Sequence, residues 1–169
     1  MKKYRILGAP CYQINSVLEA KSFIKDFVNS DDGGYSVAIN AEKIMMYSKD
    51  KSFREIMDNS VLPIPDGSGA IIGMKLLYNE KSIKLDLPKT IFECAHENKF
   101  SFFVLGATEE VNAKAEKVLN KKYPGINLLG RHNGFFEEES VVFQQIKKLN
   151  PQIVMIAMGS PKQEKLAAR

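Results

Sequence analysis

The chain has 169 residues, 44% of them hydrophobic and 26% charged, which is enough apolar material for one globular domain and excludes a disordered or fibrous chain. Its net charge of +4 is too small an excess to mark a nucleic-acid binder, so no nucleic-acid partner is expected. Cys11 and Cys94 have neither zinc-knuckle nor redox-pair spacing and make no disulfide framework, as suits two inert thiols in a reducing cytoplasm.

Residues Met1 to Arg5 are basic, but the short apolar stretch behind them stops at Pro10 and does not make a signal peptide. No apolar run approaches the ~20 residues of a membrane-spanning helix, so any membrane contact is expected to be peripheral or to lie outside this sequence. Ser16 to Asn29 sets Val17, Phe23, Ile24, Phe27 and Val28 at helical spacing, and Gly33-Gly34 breaks the chain after it. Strand-like runs follow at Tyr35–Asn40, Val61–Pro65, Phe100–Gly106, Ile126–Gly130 and Ile153–Gly159. Between them lie helical stretches: Glu42–Ser60, interrupted near Asp50, then Gly69–Tyr78, Pro88–Glu97, and a helix capped by Thr108 and stopped by Pro124-Gly125. Asn79 to Leu87 reads as a polar mobile loop. Strands alternating with helices predict an α/β fold, a Rossmann-like sandwich with a mainly parallel sheet flanked by helices. The whole of 1–169 reads as a single domain, and Phe102–Leu105 and Ile153–Ile156 read as strands buried on both faces.

In such folds ligands bind beyond the carboxyl ends of the strands. Four strand ends carry unusual sequence: Asn40-Ala41-Glu42-Lys43, Pro65-Asp66-Gly67-Ser68-Gly69, Gly106-Ala107-Thr108, and Gly159 to Glu164. Asp66 is the sharpest candidate. A carboxylate at a tight turn between strand and helix can act as a base, and can equally cap the helix that follows. Gly159-Ser160-Pro161-Lys162-Gln163-Glu164 combines a glycine, a hydroxyl, a proline at a first helical position, a lysine and an amide. That pattern suits an anion-receiving helix start and also a capping box between Ser160 and Gln163. Gly106-Ala107-Thr108 can cradle a diphosphate or simply turn the chain. Asn40 can hydrogen-bond a sugar hydroxyl or cap a helix. His96 and His132 are read as surface residues with no partner ligand, so no metal site is expected. No Asp-x-Asp pair occurs, and Asp31-Asp32 lie in a Gly-rich turn before a strand, on the wrong side of the sheet. Diphosphate stabilisation would then fall to helix N-termini and cations, with Lys81, Arg131 and Lys162 as candidates and Lys84 as a solvated charge.

In order and spacing, Val37 to Lys43, Pro65-Asp66-Gly67, Val104-Leu105-Gly106, Gly130 to Phe136 and Ala157 to Glu164 resemble the WecG/TagA/CpsF glycosyltransferase family. The resemblance runs from about Ile6 to the end of the sequence. It implies an inverting, UDP-sugar-dependent transferase without a cofactor or metal, moving N-acetylmannosamine or its uronic acid onto undecaprenyl-diphosphate-linked N-acetylglucosamine. On that pattern Asp66 is the general base, and Asn40, Gly67, Lys81, Gly106, Phe135, Gly159, Ser160, Lys162 and Gln163 are substrate-binding. The implied setting is peripheral, at the inner face of the cytoplasmic membrane, in cell-surface polysaccharide synthesis, with a homo-oligomer compatible. Alternatives are a UDP-sugar-binding module without turnover, and a hexosyltransferase with a longer lipid-linked acceptor.

Three features depart from the family pattern. Lys81-Ser82-Ile83-Lys84-Leu85-Asp86-Leu87 stands where the family has Arg-Val-x-Gly-x-Asp-Leu, replacing a bidentate clamp by a point charge. Gly134-Phe135-Phe136 replaces Gly-Tyr-Phe. The family's further C-terminal segments and basic appendage are expected to be missing after Arg169.

Overall fold

The computed structural model describes residues 1–30 and 32–169; Asp31, and with it the reading of the Asp31-Asp32 pair, lies outside the described residues. The backbone groups into two compact units, Met1–Thr90 with Glu164–Arg169, and Ile91–Gln163.

The first unit opens with an antiparallel hairpin, β1 (Lys3–Ile6) and β2 (Ala9–Tyr12), in register Lys3↔Tyr12 to Ile6↔Ala9. Its turn residues Leu7 and Gly8 have φ of 49° and 92°, the doubly left-handed geometry of a tight hairpin turn. Leucine standing where Asn or Asp is usual hides this hairpin in the sequence. Ser16 caps α1 (Val17–Asn29), accepting from Glu19 N. The helix buries Ala20 and Ile24, whereas Val17, expected on the inner face, is exposed. β3 (Ser36–Ile39) runs through α2 (Ala41–Lys49) and α3 (Lys51–Asp58) to β4 (Leu62–Pro65), which pairs parallel with it. Asp50 separates the two helices by accepting from Ser52 N and Phe53 N, so the interruption expected there is a capped break.

β4 contains Pro63 and Pro65, residues that usually exclude a paired strand. The N–H of Asp66 donates to Ile39 O at 2.7 Å. By the two-residue period of a strand, the even positions of β4 therefore face β3 and the prolines face away, where their missing N–H costs no ladder bond. α4 (Ser68–Tyr78) follows, with Gly67 at the N-cap, φ 85°. The core joins Ile6, Cys11, Val37, Ile39, Phe53 and Met74; burial pushes the Cys11 thiol up to about 12, an unreactive group.

Residues 79–86 are irregular but not the loose loop expected. Ile83 N donates to Ile14 O at 2.8 Å, Gln13 Nε2 to Lys81 O at 2.8 Å, Ile14 N to Ser82 Oγ at 3.0 Å, and Leu85 is buried. α5 (Leu87–Asn98) then carries the chain from the first unit into the second.

The second unit is a three-stranded parallel sheet in the order β6 (Leu128–His132), β5 (Phe102–Gly106), β7 (Ile153–Ala157), linked through α6 (Glu109–Lys122) and α7 (Glu139–Leu149). Central β5 is buried as expected. β7 is not, because it lies at an edge: Ile153 to Ile156 are half-buried and Ala157 is exposed. β6 starts two residues later than the apolar run suggests, with Ile126 buried in the preceding turn. These two units give the parallel α/β architecture that the alternation of elements implies.

α8 (Lys162–Ala167) closes the chain. Its Glu164 belongs with the first unit, where Oε1 meets Lys43 Nζ of α2 at 2.7 Å, the two side chains 3% and 5% exposed. Removing one member of a desolvated pair strands the other charge. Lys43→Met is therefore expected to lower unfolding free energy by about 3–5 kcal/mol, measured by urea denaturation, with Lys43→Met/Glu164→Leu recovering much of the loss.

Candidate active site

In the first unit the parallel register Ile39↔Pro65 sets Asn40 and Asp66 side by side at the carboxyl ends of β3 and β4. α2 and α4 begin there, close enough that a Cβ on Gly69 would lie 3.2 Å from the Ala41 Cβ. Asn40 does what an N-cap does: its Oδ1 accepts from Lys43 N at 3.0 Å. Its NH2 makes no hydrogen bond among the described residues, so capping leaves a donor available. Asp66 does not cap. Gly67 occupies the N-cap of α4 without a side-chain bond, and the half-buried Asp66 carboxylate takes no hydrogen bond or ion pair among the described residues. A half-buried carboxylate that the fold does not engage, beside an available amide, is open to accept a proton or a ligand's hydroxyl.

Lys81 is not part of this pair. It is exposed at a cavity of about 580 Å³ lined also by Ile14, Ile71, Lys75, Ser82 and Ile83, to which neither Asn40 nor Asp66 contributes.

In the second unit the strand order reverses at the end of β5, the position where parallel sheets open toward ligands. The Gly106-Ala107-Thr108 turn is occupied by the protein itself. Ala107 N donates to Ala157 O at 2.9 Å, Gly134 N to Ala107 O at 2.8 Å, and Thr108 Oγ1 caps Val111 N. Gly106, φ 131°, is required because a Cβ would overlap the Ala157 carbonyl. These bonds make the turn a structural joint between the ends of β5 and β7. Buried Asn112 of α6 fixes it, its Nδ2 donating to Gly106 O at 2.8 Å and His132 O at 3.0 Å. Sequence reading missed Asn112 because nothing in a single helical Asn distinguishes a buried anchor from a surface amide.

Arg131 is likewise committed. Nε donates to Glu116 and Nη1 to Glu109, each at 2.7 Å, so two of its three nitrogens are held by carboxylates of α6. Glu116 first, then Glu109, raise its pKa, while Arg131 and then Asn133 hold Glu109 below the usual carboxylate range. Neither histidine is simply a surface group: His96 is half-buried against Tyr123, and His132 Nδ1 lies 2.8 Å from Asn133 O.

Beyond β7, the expected helix start changes in detail. Pro161 precedes α8, Gln163 N donates to Gly159 O at 2.9 Å, and the buried Ser160 Oγ has no hydrogen bond, so no capping box forms. Six residues align too few peptide dipoles for the helix start itself to receive an anion. What this end does present is side chains: Lys162 Nζ, 3.4 Å from Gly134 O and 5.5 Å from the Phe136 ring centroid, and Phe135, 76% exposed on the same loop. An ammonium beside an exposed aromatic face is suited to recognise a phosphorylated nucleoside or sugar. Among the described residues no cluster of three or more His, Cys, Asp or Glu could hold a metal ion.

The family model for the glycosyl transferase WecG/TagA/CpsF family matches residues 4–169. The chain belongs to that family. Among relatives of this WecG/TagA/CpsF chain, a Bacillus subtilis protein named N-acetylglucosaminyldiphosphoundecaprenol N-acetyl-beta-D-mannosaminyltransferase is 26% identical over 83% of the chain and 56% of its own length. A Staphylococcus aureus protein of the same name is 28% identical over 96% of the chain and 65% of its own length. The chain thus spans less than two thirds of these relatives.

Two outcomes follow from the geometry. Ser160→Ala removes a buried hydroxyl that has no partner, and is expected to raise unfolding free energy by about 1 kcal/mol without ligand, read by thermal and urea melts. Because Glu109 titrates lower in the folded chain, its contribution to stability is present above about pH 4.5 and is lost as pH falls through the folded value. The stability difference between wild type and Glu109→Gln should accordingly shrink on acidification below about pH 4 in a pH series of urea melts.

Proposed function

We propose that this chain carries the catalytic base of an inverting glycosyltransferase that moves an N-acetylhexosamine, N-acetylmannosamine first among candidates, from UDP to a lipid-diphosphate-linked N-acetylglucosamine. The observation that carries the reading is the unpartnered Asp66 carboxylate beside Asn40, in a chain whose family and named relatives point to this reaction. Asp66 takes the proton from the acceptor hydroxyl as its oxygen attacks the anomeric carbon. The bond from that carbon to the diphosphate oxygen breaks, and UDP leaves with the electron pair from the opposite face. Asn40 donates its free NH2 to a sugar oxygen, with Gly67 keeping the backbone beside Asp66 clear of a side chain. Ser160, Lys162 and Gln163 serve the diphosphate, with Gly159 allowing close approach and Phe135 meeting the base or sugar. Cations and hydroxyls stabilise the leaving group without a metal. Lys81 supplies a single positive charge where the family has arginine, and Gly106 acts structurally. The reaction belongs at the inner membrane face, where the lipid-linked acceptor is held.

The test is transfer from a panel of UDP-sugars to a short-chain lipid-diphosphate N-acetylglucosamine, with UDP binding followed calorimetrically. Asp66→Asn is expected to lose on the order of a hundredfold or more in rate while keeping UDP affinity and stability. Binding of UDP with no transfer from any donor would instead identify a sugar-nucleotide-binding module.

A further inference from the structure

α4 is the most apolar helix of the chain: Ser68 to Tyr78 carries one charge, Lys75. Its inner face buries Ala70 and Met74. The outer face of a surface helix is ordinarily polar, yet here it presents Ile72, 55% exposed, Leu76, 79%, Leu77, 51%, and Tyr78, 41%. Ile72 and Leu76 stand one turn apart on the same face. The β1–β2 hairpin extends this surface. A Cβ on Gly73 would lie 2.8 Å from Ile6, Tyr78 Oη donates to Arg5 O at 2.6 Å, and the Tyr4 and Tyr78 rings lie 4.8 Å apart. Leu7, next to Ile6 at the hairpin turn, is 69% exposed.

The charges around this surface are mostly positive. Lys2, Lys75 and Lys81 are all exposed. The carboxylate among them, Glu80, already accepts from Tyr4 Oη at 2.9 Å and Gln13 Nε2 at 3.1 Å. Lys2 and Lys75 lie near enough to help hold it below the usual range, behind the larger effects of Tyr4 and Gln13. Arg5 is occupied by Asp58 at 3.0 Å.

We propose that the outer face of α4, with the hairpin beside it, docks on an anionic lipid bilayer. The proposal deepens the function given above and rests on that reading for its purpose, since a lipid-linked acceptor is met at a membrane. Leucine and isoleucine enter the acyl boundary, Tyr78 sits at headgroup level, and the lysines lay their stems along the apolar surface with their ammonium groups on lipid phosphates. Eleven residues are too few to span a bilayer, so the helix lies in the interface plane. The positive charges beside the apolar face favour an anionic lipid surface over a second, equally positive copy of the chain.

The test is flotation of the 169-residue chain with vesicles of phosphatidylcholine alone or with about one third phosphatidylglycerol, without donor or acceptor sugar. The chain is expected on the mixed vesicles and much less on the neutral ones. Leu76→Glu/Leu77→Glu should weaken binding about tenfold or more and Lys75→Glu should reduce the preference for anionic lipid. UDP affinity and the circular dichroism spectrum should be unchanged, which separates failure of this proposal from failure of the transferase reading. Absence of wild-type binding, equal binding by the double variant, or a double variant that only disperses an oligomer would each overturn it.

Discussion

Parallel strand pairing is the constraint on which the arrangement depends. Parallel neighbours end on the same side, so the residues just past their carboxyl ends meet however far apart they lie in sequence. The bond from Asp66 N to Ile39 O makes this concrete in the first unit, bringing Asn40 level with Asp66. In the second unit the same rule gathers the turns after β5, β6 and β7, and Asn112 locks two of them by their carbonyls. Secondary structure here is chiefly a device for placing loop residues.

Polar side chains at these ends divide into those the protein satisfies and those it does not. Arg131, Asn112 and Thr108 are engaged within the fold. The half-buried Asp66 carboxylate is left to solvent, and the Ser160 hydroxyl is buried without a hydrogen bond. For the buried hydroxyl that desolvation is not repaid by any hydrogen bond within the fold. Lys43 and Glu164 illustrate the opposite case: motif residues whose observed role is a buried ion pair.

Much of this was legible in the sequence because periodicity and capping are local. The break at Asp50, the cap at Thr108 and the parallel alternation all follow from short-range rules, and the motif order identified the family that the comparison bears out. What escaped was long-range. The hairpin at Leu7-Gly8 lacks the usual turn residues, the half-exposed face of β7 depends on its edge position, and the anchoring of residues 79–86 depends on partners at Gln13 and Ile14. At Asp66 sequence left base and cap equally open; the structure removes the capping role, because Gly67 holds the N-cap without a side-chain bond. Arg131 looked available because its carboxylate partners lie on another element.

The alternating prolines of β4 have a consequence for solubility. Pro63 and Pro65 turn away from β3, so the outer margin of that strand lacks the donors that a foreign strand would need for a continuous ladder. A wholly apolar, fully buried strand is the kind of segment that would otherwise nucleate cross-β growth whenever the chain opened transiently. The prolines make β4 a strand with one adhesive side, protecting the chain from self-assembly during synthesis without a surface charge.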